Sequence, residues 1–221
     1  EIASCLVGSE MCIRDRSIPH ALRLGDALRA GHDAPFSEVA LTQEDLACLQ
    51  YTGGTTGVAK AAKLTHGNLA ANVTQAYTWV RPLVKEGQEC IVTALPLYHI
   101  FALTANCLTF MKIGASNLLI INPRDIPGLV KEMAKVPFSA FTGVNTLFNA
   151  LLNNPEFAKL DFSRLRLTMG GGMAVQRAVA DRWLAVTGKS LAQAYGLTET
   201  SPAVTINPLD VQVFTLSLIH I

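Results

Sequence analysis

Short apolar runs alternate with segments of helical periodicity from residue 45 onward. The apolar runs have the length of strands, and the segments between them have apolar residues three and four positions apart. Alternating strands and helices predict an α/β protein, with a mostly parallel sheet covered by helices. Ligands of such folds bind at the carboxyl ends of the strands. The predicted strands are 47–51, 89–95, 116–121, 138–142, 165–169 and 190–194.

Capping residues and apolar faces mark the predicted helices. Thr65 is predicted to cap the first of them, because a threonine hydroxyl accepts a hydrogen bond from a free backbone N–H. Asp125 and Pro127 open another, since proline has no N–H to leave unpaired in a first turn. The predicted buried faces are Leu69, Val73, Ala76, Tyr77 and Val80; Ile126, Leu129, Val130 and Met133; a helix around 147–152; and Val175, Val179, Trp183 and Val186.

Composition narrows the class of protein. The chain has 221 residues, of which 50% are hydrophobic and 16% charged, as in compact globular proteins. A net charge of +1 without a Lys/Arg cluster disfavours nucleic-acid binding. The five cysteines are scattered, without a C-x-x-C pair, which is typical of a reduced, cytosolic protein. Asn72-Val73-Thr74 matches the glycosylation sequon, and we interpret it as a chance match because no secretory context accompanies it.

Residues 91–111 carry no formal charge apart from a protonated form of His99, so a transmembrane helix is one interpretation. Pro96, Tyr98 and Asn106 lie within this segment and would each be costly in lipid. A buried strand followed by a loop and a helix explains the same apolarity. The second interpretation is the one we predict.

The most informative stretch is 51–60, with the sequence Tyr-Thr-Gly-Gly-Thr-Thr-Gly-Val-Ala-Lys. Gly53, Gly54 and Gly57 reach positive φ without a clash, so successive N–H groups can face one anion. Threonine hydroxyls add donors, and Lys60 supplies a point charge. The stretch therefore predicts a phosphate-binding loop. A plain flexible turn is the alternative, although such turns are richer in Asn, Asp, Pro and Ser. The Walker A spacing is absent.

Three further segments lie where predicted strands end. Residues 96–101 contain His99 in apolar surroundings, where a histidine is more often a core residue than a catalyst. Residues 170–173, Gly-Gly-Gly-Met, offer bare backbone to a flat base or an acyl chain, or simply form a tight turn. Residues 195–200 bring together an aromatic ring, a hydroxyl and a carboxylate, or form an ordinary helix start with Thr198 as its cap.

Taken together and in this order, the four segments resemble the successive motifs of the adenylate-forming (AMP-binding) superfamily. This superfamily includes acyl-CoA synthetases, luciferases and the adenylation domains of nonribosomal peptide synthesis. The resemblance covers residues 17–212 and is greatest to bacterial long-chain fatty-acid–CoA ligases. Two departures are Ala59-Lys60-Ala61, where most members have Pro-Lys-Gly, and Ala194, where the family usually has glycine packed on the nucleotide.

The resemblance assigns a role to each motif position. Thr55 and Glu199 match the residues that hold magnesium, Tyr195 matches the ring stacked on adenine, and His99 matches a position beside the acyl carboxylate. Gly170, Gly171 and Gly172 match the wall of the adenine and acyl pocket. The implied catalytic residues are His99, Lys60 and Thr198, and the implied nucleotide-binding residues are Thr52, Gly53, Gly54, Thr55, Thr56, Gly57, Lys60, Gly170, Gly171, Gly172, Tyr195, Gly196 and Thr198.

The implied activity is that of an ATP-dependent long-chain fatty-acid–CoA ligase, which forms an acyl-adenylate and then a thioester with CoA, using Mg²⁺. Stabilising charged reactants in line needs an anion cradle and cations rather than a protein nucleophile. Three alternatives stay open: another adenylate-forming enzyme that activates an aryl or amino acid, a nucleotide-binding module without catalysis, and a structural α/β domain. A cytoplasmic location is expected, with peripheral membrane association plausible for a fatty substrate. The pattern indicates no particular oligomeric state.

The two ends of the chain do not share the pattern of its centre. Residues 1–16 and 213–221 have neither helical nor strand periodicity and lie outside the resemblance, so we expect them to be non-native flanks. Residues 17–212 are expected to form the central part of the large domain. Family members carry an adenylation lysine in a small domain after the 195–200 motif, and none of the 22 residues after Glu199 is lysine. The 221-residue chain is therefore expected to be inactive alone.

Overall fold

The computed structural model describes residues 22–52 and 60–209, which fall into two compact units divided between Ala40 and Leu41. In the first unit, the helix α1 (Leu24–Gly31) has no buried residue. The expectations for residues 1–16 and 213–221 lie outside the described residues. Everything below concerns the second unit.

The second unit begins with an antiparallel hairpin of strands β1 (Leu46–Thr52) and β2 (Lys60–Thr65). Helix α2 (His66–Val80) follows directly. The predicted cap is confirmed, because the Thr65 side chain accepts a hydrogen bond from Asn68 N, and Thr65 N donates to Asn68 Oδ1. Strand β2 is not predicted by the sequence pattern, which places only the start of a helix near residue 65.

A six-stranded sheet forms the centre of the unit, in the order β4-β3-β5-β6-β7-β8. The first five strands in this order are parallel, and only the edge strand β8 is antiparallel to its neighbour. The prediction of a mostly parallel α/β fold is confirmed. The strands are β3 (Cys90–Thr93), β4 (Ser116–Leu119), β5 (Ala140–Gly143), β6 (Leu167–Gly170), β7 (Ala192–Gly196) and β8 (Ala203–Ile206).

Helices cover both faces of this sheet. Successive strand residues point to opposite sides, and since both sides carry apolar residues, both faces are buried. Ile91 packs with α2 on one face, whereas its neighbour Val92 packs in the main core on the other. Asp125 caps its helix as predicted, accepting a hydrogen bond from Gly128 N at 3.0 Å. The other α-helices within residues 60–209 are α3 (Thr109–Ile113), α4 (Ile126–Met133), α5 (Asn145–Leu152) and α6 (Arg177–Thr187).

The larger core cluster is centred on Trp183 of α6, whose side chain is fully buried. Its ring stacks on Phe141 of β5 at a centroid distance of 5.8 Å. Phe148 of α5 meets it edge-on at 4.9 Å, and Phe157 lies at 5.3 Å. These aromatic contacts join one strand to two helices and fix that side of the sheet.

Residues 91–111 contain a strand, a loop and helical turns rather than one continuous helix, as predicted. Strand β3 is followed by a π-helix (Ala102–Leu108) that continues into α3. Within the described residues, no helix combines the length and the apolarity needed to cross a bilayer. Asn106 of the π-helix is fully buried, and its side chain donates to Thr93 of β3 and accepts from Thr142 of β5. The apolar run therefore encloses a small polar network.

Candidate functional site

A cavity of about 280 Å³ lies on the sheet face that α2 covers. Leu167 and Met169 of β6 line it, and so do Gly171 and Gly172 just beyond that strand. A strand advances about 3.3 Å per residue, so the part of the wall that β6 forms, from Leu167 to Met169, is roughly 7 Å long. The cavity thus extends from the middle of the sheet to the carboxyl ends of its strands. Of the predicted site residues, it brings together Thr52, His99, Gly171, Gly172, Tyr195, Gly196, Thr198 and Glu199.

The predicted phosphate loop lies between the two strands of the hairpin. Its residues Gly53, Gly54, Thr55, Thr56 and Gly57 are outside the described residues. The hairpin itself is paired up to the ends of this segment, with Thr52 opposite Lys60. Thr52 lines the cavity, whereas the exposed Lys60 does not.

His99 belongs to the loop between β3 and the π-helix and lines the cavity. Its Nδ1 accepts a hydrogen bond from Phe101 N at 3.2 Å. In the neutral ring, a nitrogen that accepts carries no proton, so Nε2 holds it and is free to donate. The loop is also tied to the hairpin, because Gln50 Nε2 of β1 donates to Tyr98 O at 2.9 Å. His99 is therefore an oriented hydrogen-bond donor at the cavity.

At each of the three consecutive glycines, a side chain is disfavoured for a different structural reason. A Cβ on Gly170 would lie 2.4 Å from Val175 Cγ2, inside the core, and Gly170 does not line the cavity. On Gly171 it would lie 3.0 Å from the Phe101 ring, at the cavity wall. Gly172 has φ +77°, a conformation that favours glycine. Gly171 and Gly172 thus shape the wall, and Gly170 permits close packing beneath it.

Residues 195–200 form a tight structure at the end of β7. A short 3₁₀ turn (Thr198–Thr200) follows Leu197, whose N–H donates to the Thr200 hydroxyl at 2.9 Å. Thr198 therefore begins the turn instead of capping an α-helix. Gly196 admits no side chain, because a Cβ there would lie 2.1 Å from Pro202 O. The half-exposed ring of Tyr195 and the exposed carboxylate of Glu199 are held beside the same cavity.

Thr104 of the π-helix lines the cavity but is not predicted by the sequence pattern. It is 1% exposed, and the described part of the chain provides no hydrogen-bond partner for its hydroxyl. A π-turn leaves no periodicity signal in a sequence, although such turns are frequent at functional sites. A polar atom is therefore buried without compensation in the cavity wall.

Replacing Thr104 by Val is expected to raise the free energy of unfolding by about 1 kcal/mol, because an unpaired buried hydroxyl is removed with little change of shape. Thr142→Val is the matched control. The Thr142 hydroxyl is also buried but donates to Asn106 Oδ1 at 2.9 Å, so this variant should lose about 1–3 kcal/mol. Urea denaturation measures both, and equal losses would contradict the assignment.

Cysteine nucleophiles are not favoured by the site. Cys48, Cys90 and Cys107 are free thiols, and none of them lines the cavity. Burial raises the pKa of the Cys90 thiol above its ordinary value, which keeps it protonated and a poor nucleophile. The cavity residues instead offer hydrogen bonds, an aromatic ring and a carboxylate.

Comparisons with known proteins identify the family to which this sequence is similar. The family model described as AMP-binding enzyme matches residues 6–217. The long-chain-fatty-acid–CoA ligase of Escherichia coli O6:H1 is 60% identical over 194 residues, covering 88% of this chain and 35% of that relative. The protein of the same name from Yersinia pestis is 56% identical over 201 residues, with 91% and 36% covered. This chain thus spans about a third of the length of these relatives.

A solved structure of MatB from Rhodopseudomonas palustris, with ATP bound, is similar to this chain with a TM-score of 0.71. The sequence identity is 28%, and the similarity covers 84% of this chain and 36% of MatB.

Proposed function

This chain belongs to the family of AMP-binding enzymes, and we propose that the protein carrying it is an ATP-dependent ligase that joins a long-chain fatty acid to CoA. One observation supports this most strongly: a single cavity has Tyr195, Thr198 and Glu199 at the strand ends and an apolar wall along β6. The identity of 60% to a ligase of that name supports the choice of acid.

The proposed reaction has two steps. The carboxylate of the fatty acid attacks the α-phosphorus of ATP, which forms an acyl-adenylate and releases pyrophosphate. The thiol of CoA then loses its proton to solvent and attacks the acyl carbonyl, and AMP leaves with the electrons of the broken C–O bond. Each step needs the reactants held in line and their negative charge compensated.

Residues of the cavity can supply these functions. Tyr195 presents a half-exposed ring on which adenine can stack. His99 can donate from Nε2 to an oxygen of the acid, because its Nδ1 is already occupied by Phe101 N. Thr198 provides a hydroxyl for the α-phosphate, and Lys60 provides a charge for the outer phosphates at the end of the hairpin. These roles are part of the proposal.

Magnesium fits a site of this kind. The ion is held by one or two carboxylates together with substrate phosphates, rather than by a full protein cage. Glu199 lines the cavity, and residues 22–52 and 60–209 contain no group of three or more His, Cys, Asp or Glu able to hold a metal ion. When bound, Mg²⁺ would neutralise charge on the phosphates. Thr55, the other proposed ligand, lies outside the described residues.

The acyl chain is proposed to lie along the apolar wall. Leu167, Met169, Val80 and Phe110 line this part of the cavity and belong to the smaller core cluster. An alkyl chain placed there would remove its own apolar surface from water. Peripheral association with a membrane, where such acids partition, is a further part of the proposal.

The acid is best identified by measuring acyl-CoA formation from a panel of acids, using the natural protein that carries this sequence. With ATP, Mg²⁺ and CoA present, palmitate is expected to give a higher kcat/KM than benzoate, coumarate or free amino acids. A preference for an aryl or amino acid would indicate another adenylate-forming activity. Absence of any ATP binding by calorimetry would favour a structural domain.

A further inference from the structure

Asn72 is a polar side chain in the buried face of α2, and it is 5% exposed. Both ends of its amide bond the backbone of one distant residue. Asn72 Nδ2 donates to Ala203 O at 2.9 Å, and Ala203 N donates to Asn72 Oδ1 at 3.2 Å. The same Nδ2 lies 3.5 Å from Thr200 O. Asn72 also lines the cavity described above.

Asn72 binds the backbone of the segment that connects the 3₁₀ turn (Thr198–Thr200) to β8. Thr200 ends the 3₁₀ turn, and Ala203 begins β8. Between them, Pro202 O accepts a hydrogen bond from Leu197 N at 3.1 Å. The same oxygen lies where a Cβ of Gly196 would be. Fixing Ala203 therefore fixes the segment that carries Thr198 and Glu199.

The helix that carries Asn72 is a direct continuation of the hairpin. Strand β2 ends at Thr65, which caps α2, and Asn72 lies seven residues further along the chain. The start of β2 pairs with the end of β1 on either side of residues 53–59. A continuous path of strand and helix thus leads from Lys60 to the Asn72 amide.

We propose that Asn72 is a positioning residue, which couples the β1–β2 hairpin to the turn that carries Thr198 and Glu199. Its two hydrogen bonds set the distance between that turn and Lys60, at the start of β2. Like the paired backbone hydrogen bonds between two β-strands, they constrain both the position and the orientation of Ala203. This inference rests on the proposed function, because the ligand whose ends are positioned is ATP.

The same contacts determine whether the sequon at Asn72-Val73-Thr74 is accessible in the folded protein. A buried amide whose nitrogen and oxygen are both bonded to backbone is not accessible for glycan attachment. The interpretation of this sequon as a chance match therefore has a structural reason.

Asn72→Asp is the sharpest test, because the two side chains have nearly the same shape. An ionised carboxylate is acceptor-only and would face Ala203 O with a second acceptor. A protonated carboxyl donates from its O–H to Ala203 O and still accepts from Ala203 N. The variant should therefore bind ATP weakly at pH 8 and recover as the pH falls. A merely structural defect would weaken palmitate binding to the same extent, so a positioning role requires that the loss be confined to ATP.

The measurement is the dissociation constant for ATP by calorimetry between pH 5.5 and 8, together with the KM for palmitate. At pH 8, Asn72→Asp is expected to raise the dissociation constant about tenfold or more, on the scale of one or two lost hydrogen bonds. The KM for palmitate should stay within about twofold. His99, Tyr195 and Glu199 also line the cavity, so the wild-type profile is subtracted to remove their titration.

Thr74→Ala and Thr78→Ala are matched controls on the same helix. Their exposed hydroxyls donate only to the preceding turn of α2, so both variants should bind ATP as the wild type does. A dissociation constant for Asn72→Asp equal to that of the wild type at pH 8 would overturn the inference, as would weak binding that does not recover at low pH. A wild-type protein that binds no ATP would instead overturn the proposed function.

Discussion

Replacing Glu199 by Gln is expected to slow adenylate formation about 100- to 1000-fold, the effect of losing one preorganised electrostatic contact at a transition state. Glu199 is held by the 3₁₀ turn at the end of β7 and lines the cavity. A glutamine keeps the size of the side chain but removes the negative charge that would attract a metal ion. Binding of ATP in the absence of metal should change little.

Pyrophosphate exchange into ATP measures this step separately from thioester formation. Glu156→Gln is a suitable control, because Glu156 is exposed and pairs only with Lys159 at 2.6 Å. The control should exchange at the wild-type rate. If Glu199→Gln also does so at limiting as well as saturating Mg²⁺, Glu199 does not hold the metal and the proposed role is wrong.

Replacing Trp183 by Ala is expected to reduce the free energy of unfolding by about 3–5 kcal/mol, the range for deleting a buried aromatic side chain. The fully buried ring contacts Phe141, Phe148 and Phe157. Its loss would leave a cavity between β5, α5 and α6 that the rigid sheet cannot close. Losses of this size consume a large fraction of the stability of a typical domain.

Trp79→Ala provides the comparison, because Trp79 is the other of the two tryptophans and is 45% exposed. Its Nε1 donates to Asn207 O at 3.2 Å. Denaturation followed by circular dichroism, which does not depend on tryptophan, should show a loss at most about half that of Trp183→Ala. Equal losses would contradict the assignment of Trp183 to the centre of the core.

The sheet was predictable because its strands are apolar on both faces and its helices are apolar on one. Ile91 and Val92 are both fully buried, on opposite sides of β3. Such runs stand out in a sequence, although their ends do not. The predicted strand 89–95 is observed as Cys90–Thr93, and the helix expected to include Val175 begins at Arg177.

Three of the elements that were not predicted show different reasons for it. Strand β2, with the sequence Lys-Ala-Ala-Lys-Leu-Thr, is rich in residues that are depleted in strands, and it exists through pairing with β1. Strand β8 has only four residues and immediately follows Pro202. The π-helix has the composition of an ordinary apolar helix. Pairing partners and hydrogen-bond registers of this kind are tertiary properties.

The candidate site was predictable as a set of strand-end motifs but not as a geometry. Sequence alone grouped three glycines, and the structure separates Gly170, which packs on Val175, from the two that line the cavity. The sequence also gave no reason to notice Asn72 beyond a glycosylation sequon, because its hydrogen-bond partner Ala203 is 131 residues away. Contacts of such separation leave no local signal.

The central claim is that the protein activates a fatty acid by adenylation. The most direct measurement is the exchange of labelled pyrophosphate into ATP, with the natural protein that carries this sequence and Mg²⁺, in the presence and absence of palmitate. Exchange is predicted to depend on palmitate, and addition of CoA is predicted to yield palmitoyl-CoA and AMP in equal amounts. Exchange that is absent with every carboxylic acid tested, or ATP consumption that yields ADP and phosphate, would contradict the claim.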